Sequence, residues 1–138
     1  MSELTRIGVA IDSELLRKFD ALIASRGYAN RSEAFRDLIR DELVERAWEQ
    51  PDSKVVGTVT LVYDHHVRML NEKLTDMQHS HFHHILSTLH VHLDHDNCLE
   101  VLVVKGRASE VKKIADALIS TKGVKHGRLT ITSTGAEL

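Results

Sequence analysis

The chain of 138 residues contains one cysteine, one proline and few aromatic side chains. A single thiol cannot form an intrachain disulfide, so the fold has to be stable without one. No apolar run approaches the roughly 18 residues that a membrane helix requires, and the first residues lack the order of a signal peptide. These absences predict a cytoplasmic protein that does not contact a membrane.

The chain also has little net charge of either sign, with a formal value of −2 at pH 7. Residues 1–50 carry eight Lys and Arg against ten Asp and Glu, so no basic excess indicates a nucleic-acid partner. DNA binding would therefore have to be inferred from the shape of the fold. Histidine, by contrast, is abundant, and nine of the ten histidines lie within residues 65–95. This clustering is the first indication of metal binding.

The first fifty residues predict one strand followed by two helices. The segment TRIGVAID, residues 5–12, alternates apolar side chains with others, as a short amphipathic strand does. The next fifteen or so residues show apolar side chains at helical spacing, and we expect Ser13 to cap that helix and Gly27 to end it. A second helix is predicted from Asn30, which stands three residues before Glu33 as in a capping box.

One strand and two helices bury too little apolar surface to be stable alone, and a lone strand leaves its backbone groups unpaired. The simplest partner is a second copy of the chain, whose identical strand would pair antiparallel about a two-fold axis. We therefore expect a dimeric βαα ribbon-helix-helix domain over residues 1–50, followed by a linker at residues 51–54.

The remainder of the chain, residues 55–138, predicts a second domain, so the whole protein is expected to belong to the α+β class. Its patterns give a β-rich segment, a helix over residues 65–78, the strand ILSTLHVHL, the turn DHDN, the strand CLEVLVVKG, a last helix and a short strand. The order βαββαβ is typical of the ferredoxin-like fold, in which two helices cover one face of an antiparallel sheet.

A candidate metal site lies in the predicted hairpin HVHLDHDNC. His90 and His92 are two residues apart on a strand, so their imidazoles leave the same face, and the turn then returns the chain to Cys98. Two imidazoles and a thiolate suit Ni(II), Cu(II) or Zn(II), and do not suit Ca(II) or Mg(II). A fourth ligand has to come from elsewhere. The preceding helix offers four candidates, namely His79, His81, His83 and His84.

The remaining histidines receive weaker assignments. His95 in the turn is either an additional ligand or a solvated side chain, whereas His65, His66 and His126 are expected on the surface. One histidine or one cysteine is usually structural, but three such residues meeting in one hairpin favour a metal site. A site filled by three histidines and a thiolate has no vacant position, so we expect neither an enzyme nor a small-molecule substrate.

A paired TRIGVAID ribbon would fit the major groove of B-DNA, which admits two antiparallel strands. Its outward residues would be Arg6, Gly8 and Ala10. Only Arg6 could make a bidentate contact to guanine. The first turn of the second helix presents backbone amides suited to a phosphate, at Asn30, Arg31 and Ser32. From the residues alone, a dimerisation module without a DNA function is equally compatible with this pattern.

The segments RIGVAID, GYANRSEAFRDLIR, QHSHFHH and TLHVHLDHDNCLEV together resemble the nickel-responsive NikR-type repressors over essentially the whole chain. The resemblance implies a homotetramer, a dimer of dimers, in which two DNA-binding dimers flank a core of four ferredoxin-like, ACT-type domains. It implies repression at a palindromic double-stranded DNA operator of nickel-uptake genes. It also implies a square-planar Ni(II) site formed by His90, His92, Cys98 and the His79 of a neighbouring subunit.

The same resemblance assigns DNA reading to Arg6, Gly8 and Ala10. Family members carry threonines at the second and third of these positions, so the operator sequence does not follow from the likeness. Family members also bind a second cation, through carboxylates that match Glu33 and Asp37. Other interpretations of the same residues are a metal storage or delivery protein, a zinc- or copper-responsive repressor, and a metal hydrolase.

Overall fold

The structure, a computed structural model, describes residues 3–138 as four helices and four strands. In chain order the elements are α1 (Ser13–Ser25), α2 (Arg31–Glu49), β1 (Lys54–Asp64), α3 (Leu70–Ser80), β2 (Ile85–His92), β3 (Asn97–Arg107), α4 (Ala108–Ile119) and β4 (Val124–Thr132). None of the helices in this described part is long and apolar enough to span a membrane.

The chain divides into two compact units between Asp41 and Glu42, within α2. Residues 51–54, predicted as a linker, form a turn and the first residue of β1. The second unit therefore also contains the last turns of α2, where the Trp48 side chain is buried in the core. The domain limits at residues 50 and 55 stay a prediction.

The strand predicted at residues 5–12 is not formed in the single chain. Residues 3–12 have no regular structure, and the side chains of Ile7 and Val9 are 79% and 59% exposed. A strand needs a neighbour to pair its backbone groups, and residues 3–41 supply none. The strand therefore remains a prediction for a dimer.

The two helices of the first unit begin and end largely as the sequence predicts. The cap of α1 is Asp12 and not Ser13, because Ser13 is already the first helical residue, and the Asp12 carboxylate accepts the amide hydrogen of Leu15 at 3.1 Å. Gly27 follows α1 with a φ of +83°, a conformation that costs glycine little. The side chain of Asn30 accepts the amide hydrogen of Glu33 at 2.9 Å, as the capping-box spacing predicts.

The second unit confirms the predicted βαββαβ order. Its four strands form one antiparallel sheet in the order β2-β3-β1-β4, the arrangement of ferredoxin-like folds. Alternate residues of β1 and β3 are buried against α3 and α4, which both lie on the same face. The core side chains include Val59, Leu61, Leu74, Leu102 and Leu118.

Helix α3 starts later than predicted, at Leu70 instead of residue 65. The side chain of Asp64 accepts the amide hydrogen of His66 at 2.8 Å, which holds the chain in a turn after β1. Met69 then has a φ of +68°, in the left-handed region that interrupts a right-handed helix. The segment that precedes α3 is therefore a loop, and His65 and His66 lie in it.

Candidate metal centre

The β2–β3 hairpin positions the predicted ligands through its register. His92 lies directly opposite Cys98, and His90 lies opposite Glu100. On the other side of β3, Tyr63 of β1 is the partner of Cys98. Residues directly opposite in a ladder share a face of the sheet, so all five side chains project from the face covered by the helices. The rings of His90 and His92 have centroids 5.3 Å apart.

The turn between the two strands is held by the side chain of Asp94. Its Oδ1 atom accepts the amide hydrogens of Asp96 at 2.9 Å and of Asn97 at 2.8 Å. The amide nitrogen of the Asn97 side chain also donates to both carboxylate oxygens. These hydrogen bonds, the side-chain one first, lower the pKa of Asp94 to about 2. The turn that returns the chain to Cys98 is therefore locally fixed.

The thiol of Cys98 lies between two histidines. Its Sγ atom is 3.4 Å from Nδ1 of His92 and 3.3 Å from Nδ1 of His65. The three ligand atoms all lie within 4.8 Å of one another, so they could hold a metal ion. Cys98 is fully buried, His65 is half-buried and His92 is exposed. The group lies where the sheet meets solvent.

His65 is the residue that the sequence did not assign to this group. It follows β1 directly, and its amide donates to the carbonyl of Asp96 in the hairpin turn at 3.1 Å. The order of the strands could have predicted its position, because β1 ends where β3 begins and Asp64 pairs with Asn97. Because a loop residue has no periodicity, helical or strand patterns could not place its side chain.

Burial raises the pKa of the Cys98 thiol, with further contributions from the nearby carboxylates of Asp64 and Glu100. Without a metal, the sulfur therefore carries its proton at neutral pH. A divalent cation reverses this preference, because its charge favours the thiolate and because thiolate and imidazole are ligands that nickel accepts. The donor set of this group fits such an ion.

A buried polar pair lies beside the group. The hydroxyl of Tyr63 donates to the Glu100 carboxylate at 3.4 Å, and both side chains are buried. The Tyr63 ring meets the edge of His90 at a centroid distance of 6.0 Å. Burial is the main cause that raises the pKa of Tyr63, so its hydroxyl stays a donor. This contact can fix the position of Glu100 next to the strand that bears the histidines.

Helix α3 ends at Ser80, so of the four candidate histidines only His79 lies on the helix, and in the described residues none of the four joins the Cys98 group. His79 is exposed in the last turn of α3, and it is in none of the ligand groups that residues 3–138 bring together. His84 is near Lys105 and Glu110, with its Nδ1 atom 3.2 Å from the carbonyl of the former.

The residues predicted to contact DNA lie in the first unit. Arg6, Gly8 and Ala10 are exposed in the irregular segment before α1. The guanidinium of Arg31 donates two hydrogen bonds of 2.8 Å to the carboxylate of Asp20. This ion pair lowers the pKa of Asp20, and a phosphate near Arg31 would have to compete with it. Ser32 is exposed in the first turn of α2.

Of the two carboxylates predicted for a second cation, that of Asp37 already has partners. Asp37 accepts a hydrogen bond of 2.7 Å from the Tyr28 hydroxyl and lies 3.7 Å from the guanidinium of Arg40. Glu33 is exposed one turn earlier. Residues 3–41 do not add a third ligand to these two carboxylates.

The sequence matches two protein families, each over one part of the chain. The NikR C terminal nickel binding domain matches residues 56–132, and the ribbon-helix-helix proteins of the copG family match residues 5–46. A relative from Solibacter usitatus is 79% identical over 138 residues, which are 100% of this chain and 99% of the relative. One from Geobacter sulfurreducens is 64% identical with the same coverage.

A more distant relative, from Caldanaerobacter subterraneus, is 56% identical over 135 residues, or 98% of this chain and 88% of its own. All three relatives carry the name nickel-responsive regulator.

Proposed function

The chain belongs to the family of nickel-responsive regulators that share the NikR C-terminal nickel-binding domain, and from this we propose how its residues carry out regulation. The protein is a nickel-dependent transcriptional repressor with a ribbon-helix-helix DNA-binding domain and a nickel-binding domain. It is not an enzyme, because the family is one of transcriptional regulators.

One observation supports the assignment of this function to particular residues. The Cys98 thiol contacts imidazole nitrogens inside the nickel-binding domain. For the proposed nickel ligands we choose His90, His92 and Cys98 of one subunit with His79 of a neighbour. The shared face of the hairpin ligands and the exposure of His79 support this set. In the single chain, His65 takes the position next to the sulfur.

Each residue has a definite task in this proposal. Cys98 gives up its proton to become a thiolate, and the raised pKa makes this step unfavourable until a cation is present. The register of β2 and β3 holds His92 opposite the sulfur, and Asp94 fixes the turn between them. His79 of one subunit and the hairpin ligands of another would hold the nickel ion together, so metal affinity and assembly would be linked.

We propose a homotetramer, a dimer of dimers, as the assembly. Leu89 and Val91 are 60% and 39% exposed on the face of β2 that points away from the helices. Apolar side chains on an open sheet face favour burial against another copy of the chain. The exposed Ile7 and Val9 support pairing of the N-terminal strands into a ribbon.

For the DNA interface we propose residues 1–50 as the domain, joined through residues 51–54 to the metal-binding residues 55–138. In the ribbon, Arg6, Gly8 and Ala10 face the major groove of a palindromic operator. Asn30 caps α2 by accepting the amide hydrogen of Glu33, and the backbone amides of Asn30, Arg31 and Ser32 contact a phosphate in this proposal. A cytoplasmic location and control of nickel-uptake genes belong to the same proposal.

The decisive experiment measures DNA affinity with and without nickel. The DNA is an operator selected from a random library by the nickel-loaded protein, and binding is followed by fluorescence anisotropy. We expect a chelator to weaken binding by at least about tenfold, which corresponds to roughly 1.4 kcal/mol. Equal affinity in both conditions would contradict nickel-dependent repression.

Two variants separate the DNA contact from the metal site. Arg6→Ala should lose specific DNA binding and keep its nickel, whereas Cys98→Ser should lose tight nickel binding and the nickel effect on DNA. Arg46→Ala is the matched control, because this arginine is exposed and pairs with Glu42 on the same helix. A storage protein would instead be unaffected by Arg6→Ala.

A further inference from the structure

The segment between α3 and β2 is attached to the rest of the second unit at His84. The carbonyl oxygen of His84 accepts the backbone amide hydrogen of Lys105 in β3 at 2.7 Å. Nδ1 of its ring lies 3.2 Å from the carbonyl oxygen of Lys105 and donates to it, since a carbonyl can only accept. Nε2 lies 3.4 Å from the carboxylate of Glu110 in the first turn of α4. One residue therefore connects this segment to both β3 and α4.

The ring of His84 occupies space that a glycine leaves open. Gly106 follows Lys105 in β3, and a Cβ atom at this position would stand 2.6 Å from Nδ1 of His84 and 3.2 Å from its Cε1. Non-bonded heavy atoms pack best at about 3.5–4.0 Å, so a larger residue would push the imidazole away. The half-buried ring is therefore fitted to a defined place beside β3.

A short run of backbone hydrogen bonds connects His84 to His79 in the last turn of α3. The carbonyl of His79 accepts the amide hydrogen of Phe82 at 3.4 Å. The carbonyl of His81 accepts the amide hydrogens of His84 at 2.9 Å and of Ile85 at 3.1 Å. A backbone fixed in such turns has already lost much of its conformational entropy. The position of His84 therefore limits where His79 can lie.

We propose that His84 is a positioning residue for the nickel site, which holds the end of α3 so that His79 is placed for a neighbouring subunit before nickel binds. The inference rests on the proposed function, because it takes His79 as the fourth ligand. His84 is in none of the ligand groups that residues 3–138 bring together, and both of its ring nitrogens face oxygen atoms of the protein. A ligand that is positioned in advance loses less conformational entropy on binding, so the metal affinity increases.

The nickel affinity of the full chain, measured by competition with a chelator, tests this inference. His84→Ala should bind nickel at least about fivefold more weakly, a smaller effect than the roughly 10–100-fold loss that follows removal of a side chain bonded directly to a ligand. At saturating nickel, its thiolate-to-nickel absorption should equal that of the unmodified protein, because the ligands are the same.

Two further variants show whether the hydrogen bond of His84 is responsible. His84→Asn should recover part of the lost affinity, since its amide nitrogen can donate to the carbonyl of Lys105 in place of Nδ1. His83→Ala is the matched control, because His83 is the neighbouring histidine and is exposed. It should bind nickel as tightly as the unmodified chain. An equal loss of affinity in His83→Ala would overturn the inference.

A double-mutant cycle with His79 separates positioning from other effects. In a His79→Ala background, His84→Ala should have no further effect, because the ligand that it positions is absent. The same fold loss in both backgrounds would show that His84 does not act through His79. A changed absorption spectrum in His84→Ala would identify His84 as a ligand, which also overturns the positioning role.

The cycle also distinguishes failure of this inference from failure of the proposed function. If His79→Ala weakens nickel binding and His84→Ala, with a circular dichroism spectrum that shows an intact fold, does not, then the positioning role is wrong and the proposed ligand set stands. If His79→Ala binds nickel as tightly as the unmodified chain, the ligand set is wrong, and the role of His84 is wrong with it.

Discussion

At the scale of single residues, Cys98 has the environment of a protected thiol. Its side chain is fully buried in the core, and burial raises its pKa. The reactive species of a cysteine is the thiolate, so both lack of access and lack of ionisation suppress its chemistry.

We therefore expect the metal-free protein to react with a thiol reagent at least about tenfold more slowly than free cysteine at neutral pH. The rate should increase as the pH rises above the usual range for a thiol, and it should become that of free cysteine in urea. With an aromatic disulfide as the thiol reagent, the reaction can be followed by the absorbance of the aromatic thiol that it releases. Complete modification of the folded protein within seconds would contradict this environment.

A second residue-scale prediction concerns Asp94. Hydrogen bonds hold its pKa at about 2, below the ordinary value of 3.8. A carboxylate whose pKa is lowered by folding stabilises the folded state at pH values above its ordinary pKa. This contribution disappears as the pH falls through the pKa of the folded state. The urea midpoints of the unmodified protein and Asp94→Ala should differ above about pH 4 and converge towards pH 2. A constant difference would show that the carboxylate charge is irrelevant to the turn.

At the scale of elements, the last turn of α2 is part of the second unit. The indole nitrogen of Trp48 donates to the carbonyl of Thr132 in β4 at 2.9 Å, and its ring is buried in the core. The ammonium group of Lys112 in α4 donates to the carbonyl of Trp48 at 2.7 Å, which satisfies a group at the helix end. The sheet and α4 therefore both hold this turn.

Trp48→Ala should lower the free energy of unfolding by about 3–5 kcal/mol, because a buried aromatic ring leaves a cavity. Trp48→Phe keeps most of the apolar contact but loses the hydrogen bond, and should cost less. Chemical denaturation followed by circular dichroism gives both values. Should the alanine variant unfold at the same urea concentration as the unmodified protein, this turn would not belong to the core.

The elements also show how far the sequence predicts the structure. Apolar periodicity was sufficient for βαββαβ, because β1, β3, α3 and α4 each bury one face in the same core. It was insufficient at residues 65–69, where local hydrogen bonding and a left-handed Met69 override the helical spacing. It also could not place His65, whose contact with Cys98 depends on which strands are neighbours.

At the scale of the whole molecule, we predict that the first unit depends on a second chain. Residues 3–12 present Ile7 and Val9 to solvent in the single chain. The predicted ribbon would bury both side chains between two copies, with Ala10 on the opposite side. Apolar burial on the face of Ile7 and Val9 should therefore control assembly, whereas the face of Ala10 should contact DNA.

Ile7→Glu should weaken dimerisation of the N-terminal domain and, with it, DNA binding, because two carboxylates would be buried in the ribbon. Ala10→Glu is the matched change on the other face and should remove DNA binding while the assembly remains. Sedimentation velocity measures assembly, and fluorescence anisotropy measures DNA binding. If both variants keep the assembly, Ile7 does not lie between the strands.

The length of the turn that Asp94 fixes determines how the ligands on β2 and β3 are placed relative to one another. His92 stands opposite Cys98 only because four residues link the two strands in this register. A single inserted residue would shift one strand against the other and send its ligands to the reverse side of the sheet. The hairpin is consequently a transplantable module, whose thiol and imidazole should keep their spacing when grafted, turn included, onto a foreign antiparallel sheet.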